Sequence, residues 1–193
     1  MKRKFYSILV ALFTTISLSS CGYNTLVDLD EQVQGQWGQV QNVYQRRADL
    51  IPNLVNTVKG AANFEKETLT AVIEARAKAT QIRVDANSLT PENIQRFQET
   101  QGQLSQALGK LMSVVENYPD LKSNQNFLGL QAQLEGTENR ITVERQRFNE
   151  VTTQYNSTLR RFPNNLTAGW FGFEKKGYFA AEAGSEKAPK VQF

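Results

Sequence analysis

The chain has 193 residues, with 22 Lys and Arg against 19 Asp and Glu, one cysteine and no histidine. Three of the basic residues stand at positions 2–4, and without them the balance is 19 against 19, which offers no electrostatic footprint for nucleic acid. The missing histidine excludes a Ser-His-Asp triad, the usual zinc sites and a histidine pH switch, and a lone cysteine excludes an internal disulfide.

At the N-terminus, Lys2, Arg3 and Lys4 precede an uncharged, mostly apolar run over residues 5–16, and Ser17, Ser19 and Ser20 then surround Leu18. This is the layout of a secretory signal, and the run is shorter than the roughly 20 residues that span a bilayer as a helix. The segment LSSC, ending in Cys21, resembles the lipobox of bacterial lipoproteins, in which the chain is cut before the cysteine and its sulfur acylated. A thiol suits that chemistry through its thiolate, and each acyl methylene buried in a bilayer contributes about 0.8 kcal/mol. Residues 1–20 are therefore expected to be removed and Cys21 to be a lipidation site. The domain is then placed on the periplasmic side of the bacterial cell envelope, and Gly22, where inner-membrane retention commonly uses aspartate, favours the outer membrane. An ordinary signal peptide with a nearby cysteine is the competing reading.

Beyond Cys21, Leu26, Val33, Trp37, Val40 and Tyr44 mark a first helix, and Ile51, Leu54, Val58, Ala62, Leu69, Val72 and Ala79 a second. The stretch RRADLIPNLV, residues 46–55, joins them. A proline deep in a helix costs about 3 kcal/mol, and Pro52 escapes that cost if Asp49 is an N-cap. This places a tight turn at residues 47–49, with one long helix kinked at Pro52 as the alternative.

Thr90 as N-cap, Pro91 at the first helical position and Glu92 in the first turn announce a third helix. Its stripe of Ile94, Phe97, Leu104, Leu108, Leu111, Val115 and Tyr118 ends at Pro119. A fourth stripe, from Phe127 through Leu134, Ile141, Phe148 and Tyr155, runs until Pro163 stops it. Four stripes need mutual partners, so the spacing predicts an all-α fold, an antiparallel up-and-down four-helix bundle over residues 21–162. An irregular, aromatic-rich tail is expected over 163–193.

Polar residues on or beside these stripes are Arg47, Glu65, Arg76, Gln101 and Glu144. They are expected to form a buried network in which Glu65 and Glu144 pair with Arg76 or Arg47 and fix helix register. The other reading makes Glu65, Arg76 and Glu144 a ligand-binding or enzymatic group. Metal sites in bundle cores usually need Glu-x-x-His pairs, so no metal or other cofactor is expected. The EGTENR stretch, residues 135–140, reads as a solvated face. In the tail, Trp170, Phe171, Phe173, Tyr178 and Phe179 crowd around Lys175 and Lys176; they either pack onto a bundle end or, Trp170, Phe171, Phe173 and Tyr178 above all, meet a membrane or a partner protein.

The segments YNTLVDLDEQV, RRADLIPNLVNTVKG, IEARAKA, YPDLKSNQNFLGLQAQLEGTENRI and RRFPNNLTAGWFGF together resemble the LemA family of bacterial membrane-associated proteins. The likeness runs from Tyr23 to the final KVQF. It implies an antiparallel helical bundle and supplies no catalytic residues, and the LSSC segment departs from the uncleaved N-terminal span of many relatives. The function expected is that of a lipid-anchored, non-enzymatic envelope protein that holds or recruits other envelope proteins.

Overall fold

The helices begin where short polar side chains stand in for missing helical partners. Thr90 Oγ1 accepts from the Asn93 amide at 3.3 Å, and Pro91, at the first helical position, has no amide proton to satisfy. Asn124 does the same further on, its Oδ1 accepting from the amides of Asn126 at 2.9 Å and Phe127 at 3.2 Å. The computed structural model describes residues 2–60 and 64–181, with side chains from Gly22 onward apart from that of Thr167. The side chain of Cys21, those of the signal-like residues before it, and residues 182–193 lie outside the described residues.

Among the described residues the chain is all-helical and has no strand. The elements are α1 (Lys2–Lys59), α2 (Lys66–Gln81), α3 (Pro91–Val115), the single turn α4 (Pro119–Lys122), α5 (Gln125–Arg160), the short α6 (Asn164–Thr167) and a 3-10 turn over Ala168–Phe171. None of the helices, among the described residues, is long and apolar enough to cross a membrane.

The turn expected at residues 47–49 is not formed. Helix α1 continues through Pro52 and reverses only after Lys59, so Ile51, Leu54 and Val58 belong to α1 and Leu69, Val72 and Ala79 to α2. The physical reason is a donor supplied from elsewhere. Proline at position 52 has no N–H to give to the carbonyl of Ala48, one helical turn earlier. Arg76 of α2 donates its Nε–H to that carbonyl at 2.7 Å. The acceptor orphaned by the proline thus becomes the point at which α2 is fastened to α1, and the Pro52 ring itself faces solvent.

Helix α1 packs chiefly on α5, and α2 on α3. Gln36 reaches Glu144 while Arg47 reaches Glu138, so α1 and α5 run in opposite directions. The apolar stripes fill two clusters. One gathers Leu26, Val33, Trp37, Val40, Phe97, Phe148 and Tyr155; the other gathers Ile51, Leu54, Val58, Val72, Leu104, Leu111 and Phe127. Fully burying a side chain of this size stabilises by about 1.5–3 kcal/mol. Trp37 is completely enclosed, its indole N–H donating to the Val84 carbonyl at 3.0 Å, with the rings of Phe97 and Phe148 at 5.1 and 5.6 Å. Between the two clusters lies a layer of polar side chains.

Because Ala48 is buried, Arg76→Met is expected to leave its carbonyl without a donor and to destabilise the domain by about 1–2 kcal/mol. In a Pro52→Ala background residue 52 recovers an N–H for the same carbonyl, and the cost of Arg76→Met should fall below about 0.5 kcal/mol. A double-mutant cycle by urea denaturation checks this; equal costs in the two backgrounds would refute the link between Pro52 and Arg76.

Candidate functional site: a polar layer and a clamped tail

The layer between the clusters is built around Arg47, whose side chain is 1% exposed. Its neighbours along α1, Tyr44 and Ile51, are core residues, so the helix carries the guanidinium inward with the apolar stripe. Nη1 donates to Glu138 Oε1 at 2.7 Å and to Ser105 Oγ at 2.8 Å, and Nη2 donates to Gln101 Oε1 at 2.6 Å. The guanidinium also lies over the Tyr44 ring, 5.1 Å from its centre. Gln101 in turn donates its Nε2–H to the Ala79 carbonyl of α2 at 3.2 Å. One cation therefore links α1 to α3 and α5 directly and to α2 through Gln101.

Of the residues expected in a polar network, Arg47 and Gln101 are brought together, and Arg76 sits beside them on Ala48. Glu65 and Glu144 are elsewhere, and neither pairs with Arg47 or Arg76 in the manner expected. Glu65 is exposed at the start of α2, where Oε2 accepts from Thr68 Oγ1 at 3.1 Å. Glu144 accepts from Gln36 Nε2 at 2.6 Å and from Arg147 Nη1 at 3.1 Å. The acid that meets Arg47 is Glu138, which the sequence had assigned to a solvated face. That face is partly right: the Glu138 side chain is 44% exposed, half in water and half on the guanidinium. Its spacing, one helical turn from both Leu134 and Ile141, was the available signal.

Beside this layer, α3 and α5 leave an open groove of about 580 Å³, lined by Ser105, Leu108, Met112, Leu134, Glu135 and Glu138 among others. Ser105 Oγ accepts from Arg47, and a hydroxyl held on a guanidinium is not the arrangement that activates a nucleophile, which needs an adjacent base. Among the described residues no group of three or more acidic or cysteine side chains could hold a metal ion.

Towards the other end of the molecule the space between α3 and α5 is filled by the tail. Residues 173–181 form no regular structure, yet their backbone is held at Lys176, Gly177, Phe179 and Ala180. Asn156 Nδ2 donates to the Lys176 carbonyl at 2.9 Å and its Oδ1 accepts from the Lys176 amide at 3.0 Å. Asn149 repeats the pattern on both backbone groups of Phe179, at 2.9 Å each, and Gln98 of α3 does so on Ala180, at 3.0 Å each. The Gly177 amide donates to the Leu89 carbonyl at 2.8 Å. Phe179 enters the core beside Trp37 and Phe148. The Lys176 ammonium meets Asp30 at 2.8 Å and stands over the Tyr155 ring. Burial, with Asp30 and Glu174 adding to it, pushes the Tyr155 phenol far above the usual tyrosine range, so it stays protonated and donates to the Glu174 carbonyl at 3.0 Å.

The four aromatics singled out in the tail part company. Phe173 packs against the core edge, near Tyr23, whereas Trp170, Phe171 and Tyr178 remain exposed. Trp170 and Phe171 stand with Phe162 and Leu166 in one stretch, and the Phe171 ring meets that of Tyr23 of α1 at 4.8 Å, tilted by 59°. The same end carries Asn164 against Gly22.

A family model described as the LemA family matches residues 36–193. Protein LemA of Metamycoplasma hominis is 27% identical over 145 residues, covering 75% of this chain and 63% of its own length. Magnetosome protein MamQ 2 of Paramagnetospirillum magneticum is 26% identical over 178 residues, covering 81% of this chain and 64% of its own length. Magnetosome protein MamQ of Magnetospirillum gryphiswaldense is 26% identical over 192 residues, covering 89% of this chain and 68% of its own. The chain thus spans just under two thirds of the length of the first two.

The two seam positions should respond differently to substitution. Gln101→Leu deprives a buried guanidinium of a neutral acceptor while Glu138 stays in place, and is expected to destabilise by about 2 kcal/mol. Glu144→Ala removes a hydrogen bond from neutral Gln36 and a mostly exposed contact with Arg147, for about 1 kcal/mol. Urea denaturation of both variants gives the ranking, and a larger loss for Glu144→Ala would overturn it.

Proposed function

We propose, because this chain belongs to the LemA family, that it is a non-enzymatic helical protein of the bacterial cell envelope, anchored to a membrane through lipid on Cys21 and acting as a scaffold or adaptor for other envelope proteins. We read α1, α2, α3 and α5 as an up-and-down bundle, in which the end of α5 returns to the start of α1. The observation that carries the membrane part of this reading is the apolar end of the molecule. Phe162, Leu166 and Trp170 are 79%, 60% and 84% exposed and share that end with Tyr23, two positions beyond Cys21. Exposed aromatics gathered in one place mark an interaction surface, and rings with a polar edge suit the headgroup zone of a bilayer. Arg160 and Arg161, both exposed, are positioned in sequence to meet anionic headgroups.

The scaffold part of the reading is supported by chemistry and by relatives. Arg47, Gln101 and Arg76 bond to one another or to backbone carbonyls, which is the work of a structural layer. The relatives' names refer to the magnetosome or to LemA itself and state no reaction. A small-ligand reading draws support from the groove beside Ser105 and Glu138, rather than from Glu65, Arg76 and Glu144.

Two measurements test the anchor and the surface separately. Cys21→Ser is expected to abolish metabolic labelling with palmitate and to leave residues 1–20 uncleaved; persistent labelling rejects the anchor. In bilayers containing bromolipids, the lipidated protein should show partial tryptophan quenching. Trp37 is fully buried, so the quenched part belongs to Trp170 and should vanish in Trp170→Phe. Absence of quenching with the anchor inserted rejects a membrane-proximal aromatic end.

A further inference from the structure

We propose that the groove holding residues 173–181 is a peptide-binding site that also accepts the same segment from a second copy of this chain, so that two copies exchange tails. The groove reads an extended backbone with paired side-chain amides. Asn156, Asn149 and Gln98 each offer a donor and an acceptor to one residue, as a neighbouring strand would, and this recognition is indifferent to which chain supplies the backbone.

Side chains then set the sequence it takes. Asp30 and the Tyr155 ring receive a lysine at position 176. At 177 only glycine fits, since a Cβ there would lie 2.7 Å from Pro91 Cα and 2.9 Å from the Thr90 carbonyl oxygen, both backbone atoms. At 179 the ring must fill the space among Trp37, Phe97 and Phe148. The requirement is therefore Lys-Gly-x-aromatic, and within the 193 residues only Lys176, Gly177, Tyr178 and Phe179 meet it. Another copy of the tail is the occupant that the groove is known to fit at every position.

The connection between body and tail permits the exchange. Residues 161–172 expose Phe162, Leu166, Trp170 and Phe171, while Ala168 is the buried side chain described there. Gly172, at φ 74°, supplies a swivel immediately before the clamped segment. Exchange keeps every groove contact and alters only the path of this connection, which is the situation in which swapping costs least. The proposal does not depend on lipidation of Cys21.

The test uses the full chain in a Cys21→Ser background, which leaves no other thiol. Gln98→Cys and Ala180→Cys placed on one chain should be bridged internally by a short bis-maleimide, since a glutamine side chain spans the two positions in the native structure. Gln98→Cys on one chain and Ala180→Cys on another, co-expressed with distinguishable tags and then treated with the same reagent, should give a cross-linked mixed dimer. Its yield should be several-fold above that from Ala180→Cys paired with Glu67→Cys, an exposed position on α2 away from the tail. A mixed dimer no more abundant than this collision control shows that each tail stays on its own chain and overturns the proposal.

Discussion

A buried guanidinium must be paired, and the rest of this structure is arranged around that requirement. Arg47 sits inside the helices, where an unpaired cation costs several kcal/mol, and its partners come from α3 and α5 with a relay through Gln101 to α2. Apolar stripes alone fix which faces meet and leave the axial register loose, because leucine against leucine is nearly the same one turn along. The polar layer removes that freedom: slipping α3 or α5 by a turn would take acceptors away from the cation, and slipping α2 would break the relay through Gln101. Its place between the two apolar clusters makes it a divider as well as a pin.

The same logic extends to backbone groups. Pro52 leaves a carbonyl at Ala48 without its helical donor, next in sequence to Arg47, and Arg76 satisfies it. In the opposite half of the molecule the extended tail brings backbone N–H and C=O groups into a groove between helices with no strand alongside, and such groups need partners. Asn149 and Asn156 provide them. They lie seven residues apart on α5, so two helical turns return both amides to one face. The tail also serves where α2 is too short: α2 spans 16 residues against 36 in α5, and beyond its end Phe179 and the segment carrying Val84 and Leu89 join the core cluster.

What the sequence disclosed was local or periodic. Thr90, Pro91 and Glu92 announced α3, Pro163 lies just past the end of α5, and the stripes named most of the residues that prove buried. What it concealed depended on partners distant in the chain. Pro52 reads as a breaker until Arg76, on another helix, is known to take its place as donor. Glu138 reads as solvated because its neighbours in sequence are polar, and only the approach of α1 gives it Arg47. Gly177 carries no local signal in the sequence, since its meaning comes from the closeness of Pro91 and Thr90. The asparagines of α5 carried a spacing that was visible, but spacing of polar residues points to a site only when something is known to lie against them.

The position of Phe179 sets an order in time. Chains emerge from the ribosome N-terminus first, at about 5–20 residues per second, so Trp37 is made on the order of ten seconds before the ring that stacks on it. Until residue 179 is added, Trp37, Phe97 and Phe148, each as it is made, lack one wall of their enclosure. A nascent chain can wind its helices early, but its largest aromatic cluster closes only after residue 179 has been synthesised. Premature termination between residues 161 and 178 therefore yields a product that retains α1, α2, α3 and α5 yet presents an open aromatic cleft to chaperones and proteases.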